Sequence, residues 1–291
     1  MAYHGIPTIT TCSFSHHQNT VRSPLQIAHI RTEMNKLRTL ILVISTLVVS
    51  NGFAANAGAN YRDIPTDQNM GLQLDLCELN EGYSLDDVAK INKRLSEGFA
   101  KLDINATIMH LTPFFTRGAL FDPRPDYATM IVAPIPEFGS GWDKWTTSEE
   151  ASELVADSEE VSRCIAKFHQ GIPKHFNVDE IQSTDRRILT FQWCSRRPGV
   201  SIEQLRDRHD NYLQSIGEEF PAATWHILVP RLGGGPGDWA HMQTYTSAAS
   251  LMSNESRLAA GGFRSYNDYH NTYVDCGDTN VWNGTYVHKR K

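Results

Sequence analysis

The segment RPGVSIEQLRDRHDNYLQSIG, at residues 197–217, has the apolar spacing of an amphipathic helix that follows a turn. Its apolar stripe falls at Ile202, Leu205, Tyr212 and Ile216. His209 occupies the position that would complete this stripe, so the pattern points a histidine toward the core. Two interpretations follow. His209 is either a core histidine whose ring is hydrogen-bonded by a neighbour, or a residue that contacts a ligand or transfers a proton.

The chain matches itself when it is shifted by 117 residues, without a gap over residues 72–113. In this alignment Cys77 meets Cys194, and ATIMHLTP meets ATWHILVP. After a loop that is five residues shorter, DYATM meets DWAHM and Cys164 meets Cys276. Four matched blocks in one order, with a single change of length, predict a tandem duplication.

Each half has the pattern strand, helix, strand, strand, helix, strand. LQLDLCEL and ILTFQWCS alternate as strands, and Ser84 and Ser201 each begin a helix. SEEASELVADSEEVSRC and SAASLMSNESRLAA are the second helices, and KHFNVDEI and NVWNGTYVHK are the expected final strands. The predicted fold class is therefore α+β, with two tandem ferredoxin-like halves, residues 60–185 and 186–291. Their antiparallel sheets are expected to pack into an intramolecular α/β barrel.

The stretch RPGVSIEQLRDRHDNY resembles the first helix of the EthD-like and NIPSNAP-like branches of the dimeric α/β-barrel superfamily. Those proteins often show a Pro-Gly turn, a helix that begins with serine and a histidine about two turns later, which places His209 on the family's histidine. Asn92 stands at the matched position of the first half. Downstream the chain departs from the family, because Asp210 and Asn211 follow where a small residue and a proline are usual. The resemblance implies a barrel in which two halves of one chain replace the usual homodimer.

Two opposite faces alternate along the predicted strands. The face with Leu72, Leu74 and Phe191 is expected to pack against the helices, and the other face is expected to line the barrel lumen. Together with Asn92 on the helix, that second face supplies the candidate ligand-binding residues, which are Gln73, Asp75, Asn92, Gln192, Trp239 and Gln243. His209 and His241 are the candidate catalytic residues. We expect Gln192, His241 and Gln243 to line a cavity, and the alternative is a solvated sheet face.

The four cysteines after residue 60 allow several pairings. A disulfide internal to one half would be copied on duplication, which favours Cys77 with Cys164 and Cys194 with Cys276. One objection is that Cys164 follows a helix, which in a simple ferredoxin-like unit ends far from Cys77. Four buried thiols and a bridge between Cys77 and Cys194 are the alternatives.

The segment at residues 34–59 has a basic start, a short apolar run and Ala-x-Ala spacing, which is typical of a secretory signal peptide. Residues 1–33 are then expected to be a disordered leader or a gene-start error. The mature chain is expected to be exported to a periplasmic or extracellular location. Without residues 1–59 the chain has 23 basic and 32 acidic residues, a formal net charge of −9, which argues against binding to nucleic acids and to anionic membranes. Membrane insertion of the mature chain is not expected, because no other segment is apolar enough to span a bilayer.

No pair of cysteines or histidines has metal-ligand spacing, and no cofactor motif is present, so neither a metal nor a cofactor is expected. His110 and His226 fall out of register between the halves, which disfavours a symmetric metal centre. The expected function is the binding of a small organic molecule in the barrel lumen by a monomer or weak dimer. The alternatives are a cofactor-independent oxygenase or isomerase that uses a histidine for proton transfer, and a structural or partner-binding protein.

Overall fold

The alternating segments fold into a mixed α+β structure. It is a computed structural model that describes residues 69–115, 125–217 and 220–290. The expected leader at residues 1–33 and the expected signal peptide at residues 34–59 lie outside these residues. Within the described ranges, no helix has the length and apolar character needed to cross a membrane.

Nine strands and seven α-helices are formed by the described residues. The strands are β1 (Met70–Leu79), β2 (Thr107–Phe115), β3 (Tyr127–Pro134), β4 (Ser162–Phe176), β5 (Arg186–Arg196), β6 (Thr224–Leu232), β7 (Trp239–Tyr245), β8 (Val274–Cys276) and β9 (Asn280–His288). The helices are α1 (Leu85–Lys101), α2 (Ile135–Thr146), α3 (Glu149–Val161), α4 (Val178–Gln182), α5 (Ile202–Ile216), α6 (Ala248–Arg257) and α7 (Phe263–Thr272). A π-helical segment, Leu258–Gly262, joins α6 to α7.

Eight of the strands close into an antiparallel barrel. Their order is β7-β6-β4-β1-β3-β2-β9-β5, and a further pairing of β5 with β7 closes the ring. The short strand β8 adds to β5 outside the ring. Closure depends on two long-range pairings, β4 with β6 and β2 with β9, which join early and late parts of the chain.

The barrel interior is filled by apolar side chains from seven of the strands. These residues are Leu72, Leu74, Met109, Leu111, Ala128, Met130, Leu189, Phe191, Trp193, Leu228, Ala240, Met242 and Trp282. Because they come from both sides of the ring and pack in one cluster, they meet inside the barrel. The expectation that this face packs against the helices is therefore wrong. An eight-stranded barrel is just wide enough for side chains to fill, so its interior takes the more continuously apolar face.

The other strand face is turned outward and is covered by helices. Trp225, Trp239 and Tyr245 pack there in one cluster with Leu205 and Leu213 of α5. The predicted site residues of the strands belong to this outer face, since side chains alternate along each strand. Their expected position in the lumen is therefore a second error; the residues concerned are Gln73, Asp75, Gln192, Trp239, His241 and Gln243.

The last strand of the first half is not KHFNVDEI. Strand β4 begins at Ser162 and ends at Phe176, and the residues that follow form the short helix α4. The start of β4 was missed because Arg163, Cys164, Ile165 and Ala166 are all exposed, so this part of the strand lacks an apolar alternation. Helices α2 and α7 were also not predicted.

Both disulfides have the pairing that the matched cysteine positions favoured, Cys77 with Cys164 and Cys194 with Cys276. Cys77 lies opposite Cys164 in the register of β1 and β4, and Cys194 lies opposite Cys276 in the register of β5 and β8. The objection about distance does not apply, because β4 starts directly after α3 and runs antiparallel to β1 from the end where Cys77 lies.

Candidate functional site

A cavity of about 570 Å³ lies between the outer face of the barrel and helices α5, α6 and α7. Gln192, His241 and Gln243 line it from the strands, and His209 lines it from α5. Trp239 does not line the cavity but contacts the ring of His241, at 6.4 Å between ring centroids. The volume lies within the range of roughly 300–1,000 Å³ that small-molecule pockets occupy.

Helix α5 presents His209 to the sheet through a defined start and an apolar stripe. Ser201 accepts a hydrogen bond from the backbone of Gln204, whose side chain accepts one in return from the backbone of Ser201, so the helix begins with a capping box. Leu205 and Leu213 are buried one turn on either side of His209. The histidine therefore lies on the buried face of the helix, as its position in the stripe predicted.

The ring of His209 is satisfied by Tyr269, a residue of α7. The hydroxyl of Tyr269 lies 2.8 Å from His209 Nε2 and 2.9 Å from His241 Nε2, so one phenol bridges two imidazoles. On the other side of its ring, His241 Nδ1 lies 3.2 Å from the indole nitrogen of Trp225. These four side chains form a continuous polar row at the wall of the cavity.

The row has one consistent direction of hydrogen bonding. An indole N–H can only donate, so His241 Nδ1 accepts a hydrogen bond from Trp225. Neutral His241 therefore carries its own proton on Nε2. This N–H donates to Tyr269, and the tyrosine hydroxyl then donates to His209 Nε2. The indole nitrogen of Trp239 lies 3.4 Å from His241 Nε2, but in this arrangement both groups are donors, so the contact is not a hydrogen bond of the row.

The enclosed environment favours the neutral form of the three titratable members of the row, which are His241, His209 and Tyr269. Burial lowers the pKa of His241 to about 3, with a further decrease from the nearby His270. Burial also lowers the pKa of His209 well below its usual value, and the neighbouring His241, Lys174 and Arg208 lower it further. The pKa of the Tyr269 hydroxyl is raised, again mainly by burial.

The predicted site residues of the first half lie elsewhere. Gln73 Nε2 donates to both carboxylate oxygens of Asp75, at 2.8 and 3.0 Å. Burial raises the pKa of Asp75 to about 6, against the smaller opposing effect of this hydrogen bond. Asn92 is buried on α1, at the position that corresponds to His209 on α5. None of these three residues lines the 570 Å³ cavity.

Sequence reasoning missed the residues that complete the site, above all Tyr269 and Arg257. The consecutive glycines at Gly261 and Gly262 interrupt the helical pattern, so α7 was not recognised. Spacing of the tyrosines at 266, 269 and 273 by three and four residues is the signal that indicates a helix there.

A second cavity, of about 220 Å³, lies inside the barrel. Apolar side chains such as Phe191, Trp193 and Trp282 line it, together with Lys167 and with Gly235 of the loop GGGPG. In the part of the chain that the structure describes, no group of three or more His, Cys, Asp or Glu residues is placed to hold a metal ion.

Comparison with models of known protein families finds no match, and comparison with curated proteins finds none either. Among solved structures, the chain is similar to a candidate monooxygenase from Fusobacterium nucleatum, at 9% identity and a TM-score of 0.49 over 77% of this chain and 94% of the other. A candidate monooxygenase from Lactobacillus acidophilus has 9% identity and a TM-score of 0.44, over 76% and 95%. A dye-decolorizing peroxidase from Bacteroides thetaiotaomicron has 7% identity and a TM-score of 0.45, over 75% and 93%.

Proposed function

We propose that the protein binds a small organic molecule in the cavity between the outer barrel face and helices α5, α6 and α7. The observation that carries this proposal is that a hydrogen-bonded row of buried side chains lines the 570 Å³ cavity. The row consists of Trp225, His241, Tyr269 and His209. Aromatic rings offer apolar contact area, while the row offers hydrogen-bonding groups that fix an orientation. This revises the expected position in the lumen, whose remaining cavity is less than half as large.

Native mass spectrometry of the purified protein tests ligand binding directly. We expect a small-molecule adduct, and we expect Gln243→Trp to lose it because the larger side chain fills the outer cavity. Ala128→Leu is the matched control, since Ala128 lines only the interior cavity of the two. Loss of the adduct in Ala128→Leu with retention in Gln243→Trp would contradict the proposed site.

The second candidate function is cofactor-independent proton transfer, and the row of polar groups favours it over a purely structural role. A proton that arrives at the Tyr269 hydroxyl is passed on when the tyrosine gives its own proton to His209 Nε2. Exchange of the α-hydrogens of 2-tetralone in D2O, followed by NMR, tests this role. Tyr269→Phe should abolish the catalysed exchange, and catalysis that survives the substitution would rule out the relay.

We propose further that residues 60–185 and 186–291 are two ferredoxin-like halves produced by duplication, of the EthD-like or NIPSNAP-like kind. The disulfides at matched positions support this, and so do the capping boxes at Ser84 and Ser201. An experimental structure should superpose residues 72–113 on residues 189–230 as one β-α-β unit. Different connections in the two segments would contradict a duplication.

We also propose that residues 34–59 direct export and that the mature chain is a monomer or weak dimer. Two disulfides support an oxidising location, where such bonds persist. N-terminal sequencing of secreted protein should find a start at residues 55–60. Recovery of Met1 on the secreted chain would contradict the proposal, and sedimentation analysis tests the oligomeric state.

A further inference from the structure

Arg257, at the end of α6, lines the proposed ligand cavity with its side chain held by neutral groups. Its Nη2 donates to the hydroxyl of Tyr212 at 2.8 Å and to the side-chain oxygen of Asn254 at 3.0 Å. The guanidinium also lies over the ring of Tyr212, with its carbon 5.8 Å from the ring centroid. These contacts fix the position of the group but do not neutralise its charge.

Two features show that the Arg257 guanidinium can still bind an anion. Its Nε is buried and has no hydrogen-bond partner among the described residues, which is costly for a charged donor. None of the ion pairs formed by the described carboxylates includes Arg257, whereas the neighbouring Arg208 pairs with Asp268 at 3.7 Å. A half-buried cation without a counterion therefore faces the cavity.

The backbone after Arg257 leaves room for this arrangement. The π-helical segment that follows contains Gly261 with φ of 127°, a conformation that side chains disfavour. A Cβ added at Gly262 would lie 3.3 Å from Arg257 Nη1 and 3.0 Å from the Arg257 carbonyl oxygen. The absence of a side chain at Gly262 therefore allows the guanidinium to fold back toward the cavity.

Arg257 is connected to the polar row through Tyr212. The ring of Tyr212 meets the ring of Trp225 edge-on, at 6.2 Å between centroids, and Trp225 donates to His241. A molecule that contacts Arg257 thus lies beside the same aromatic wall that leads to His209 and Tyr269. Glu255 also lines the cavity, where its carboxylate accepts a hydrogen bond from Asn254 at 3.4 Å and is not within ion-pair distance of Arg257.

We infer that the ligand is an aromatic carboxylate whose anionic group binds the guanidinium of Arg257. The inference rests on the proposed ligand-binding function and names the chemical class of the ligand. Arginine matches the planar geometry of a carboxylate, and a hydrogen bond to a charged partner is stronger than one to a neutral group. The rings of Tyr212, Trp225 and Tyr269 supply the contact surface for the aromatic part.

Isothermal titration with 1-naphthoate and its neutral analogue 1-naphthamide tests this inference. We expect the unmodified protein to bind the acid about tenfold more tightly than the amide, because only the acid neutralises the arginine. Arg257→Met should remove this preference and leave binding of the amide within about twofold. Arg264→Met is the matched control, since Arg264 lies just beyond Gly262 but does not line the cavity.

The outcomes distinguish failure of the proposed ligand class from failure of small-molecule binding itself. Equal binding of acid and amide by the unmodified protein would overturn the ligand class and leave small-molecule binding intact. A preference for the acid that persists in Arg257→Met would show that Arg257 is not the anion site. Binding of neither compound would overturn the ligand class, and the native mass spectrum then decides separately whether the cavity binds a small molecule.

Discussion

The hydroxyl oxygen of Tyr269 lies 2.9 Å from Nε2 of His241, so α7 and β7 are joined by a hydrogen bond inside the candidate site. The same oxygen lies 2.8 Å from Nε2 of His209 on α5. One phenol therefore satisfies two buried imidazoles that come from different elements. This explains why a helix turns a histidine toward its own core, and it identifies the residue on which the site depends.

Tyr269→Phe should lower the free energy of unfolding by about 2 kcal/mol, because two enclosed imidazole nitrogens lose their partner. Urea denaturation followed by circular dichroism measures this loss. Tyr273→Phe is the matched control on the same part of the chain, since the Tyr273 ring packs beside Tyr269 at 6.3 Å. A loss as large in the control would mean that the hydroxyl of Tyr269 has no special role.

His241 should make the protein sensitive to acid. Its pKa in the folded state is about 3, whereas a histidine in the unfolded chain titrates near 6.5. Protonation therefore favours unfolding, so the stabilisation is complete above about pH 6.5 and is lost as the pH falls toward the folded pKa. His241→Gln should reduce the slope of stability against pH by about 1.4 kcal/mol per pH unit between about pH 6 and pH 4.

Denaturation curves collected across this pH range measure the slope. Gln192→Ala serves as the control, because it alters the same cavity wall without removing a titratable group. If His241→Gln and the unmodified protein lose stability in parallel below pH 6, His241 is not held neutral by the fold.

Asp75 should have the opposite effect on stability to that of His241, because it should destabilise the folded state as the pH rises. Burial raises its pKa to about 6, so the folded state binds a proton more readily than the unfolded chain and the charged form is the costly one. Asp75→Asn should raise the free energy of unfolding by about 2 kcal/mol above pH 7, with no gain below about pH 4. The exposed Asp143→Asn is the control, and a gain that is independent of pH would refute this explanation.

Loss of either disulfide should destabilise the barrel strongly. The pairs are separated by 87 and 82 residues, and closing loops of this length stabilises a fold by roughly 4 kcal/mol in the chain-entropy model. The double variant Cys194→Ala/Cys276→Ala should therefore melt well below the unmodified protein. Peptide mapping without reduction should recover the two expected pairs, and a Cys77–Cys194 peptide would show that the pairing is wrong.

Local patterns in the sequence were sufficient for much of the fold. Buried His209, the two helix starts at Ser84 and Ser201 and the pairing of the cysteines all follow from spacing and from the internal repeat. These features depend on neighbours in the sequence or on matched positions, so no knowledge of the tertiary arrangement was needed to expect them.

The orientation of the strand faces required the closed barrel. Alternation separates Phe191 from Gln192 but does not say which of two covered faces turns inward. Barrel closure decides this, since the interior of an eight-stranded ring excludes helices and must be filled by strand side chains alone. Tyr269 was missed for a related reason, because its helix follows a glycine-containing π-helical turn that breaks the apolar period.

A crystal structure of the protein soaked with 1-naphthoate tests the central claim most directly, because it shows where a small aromatic molecule binds. We expect the ligand against the wall formed by His209, His241 and Tyr269, with its carboxylate on Arg257. Ligand density inside the barrel, against Phe191 and Trp282, would contradict the account.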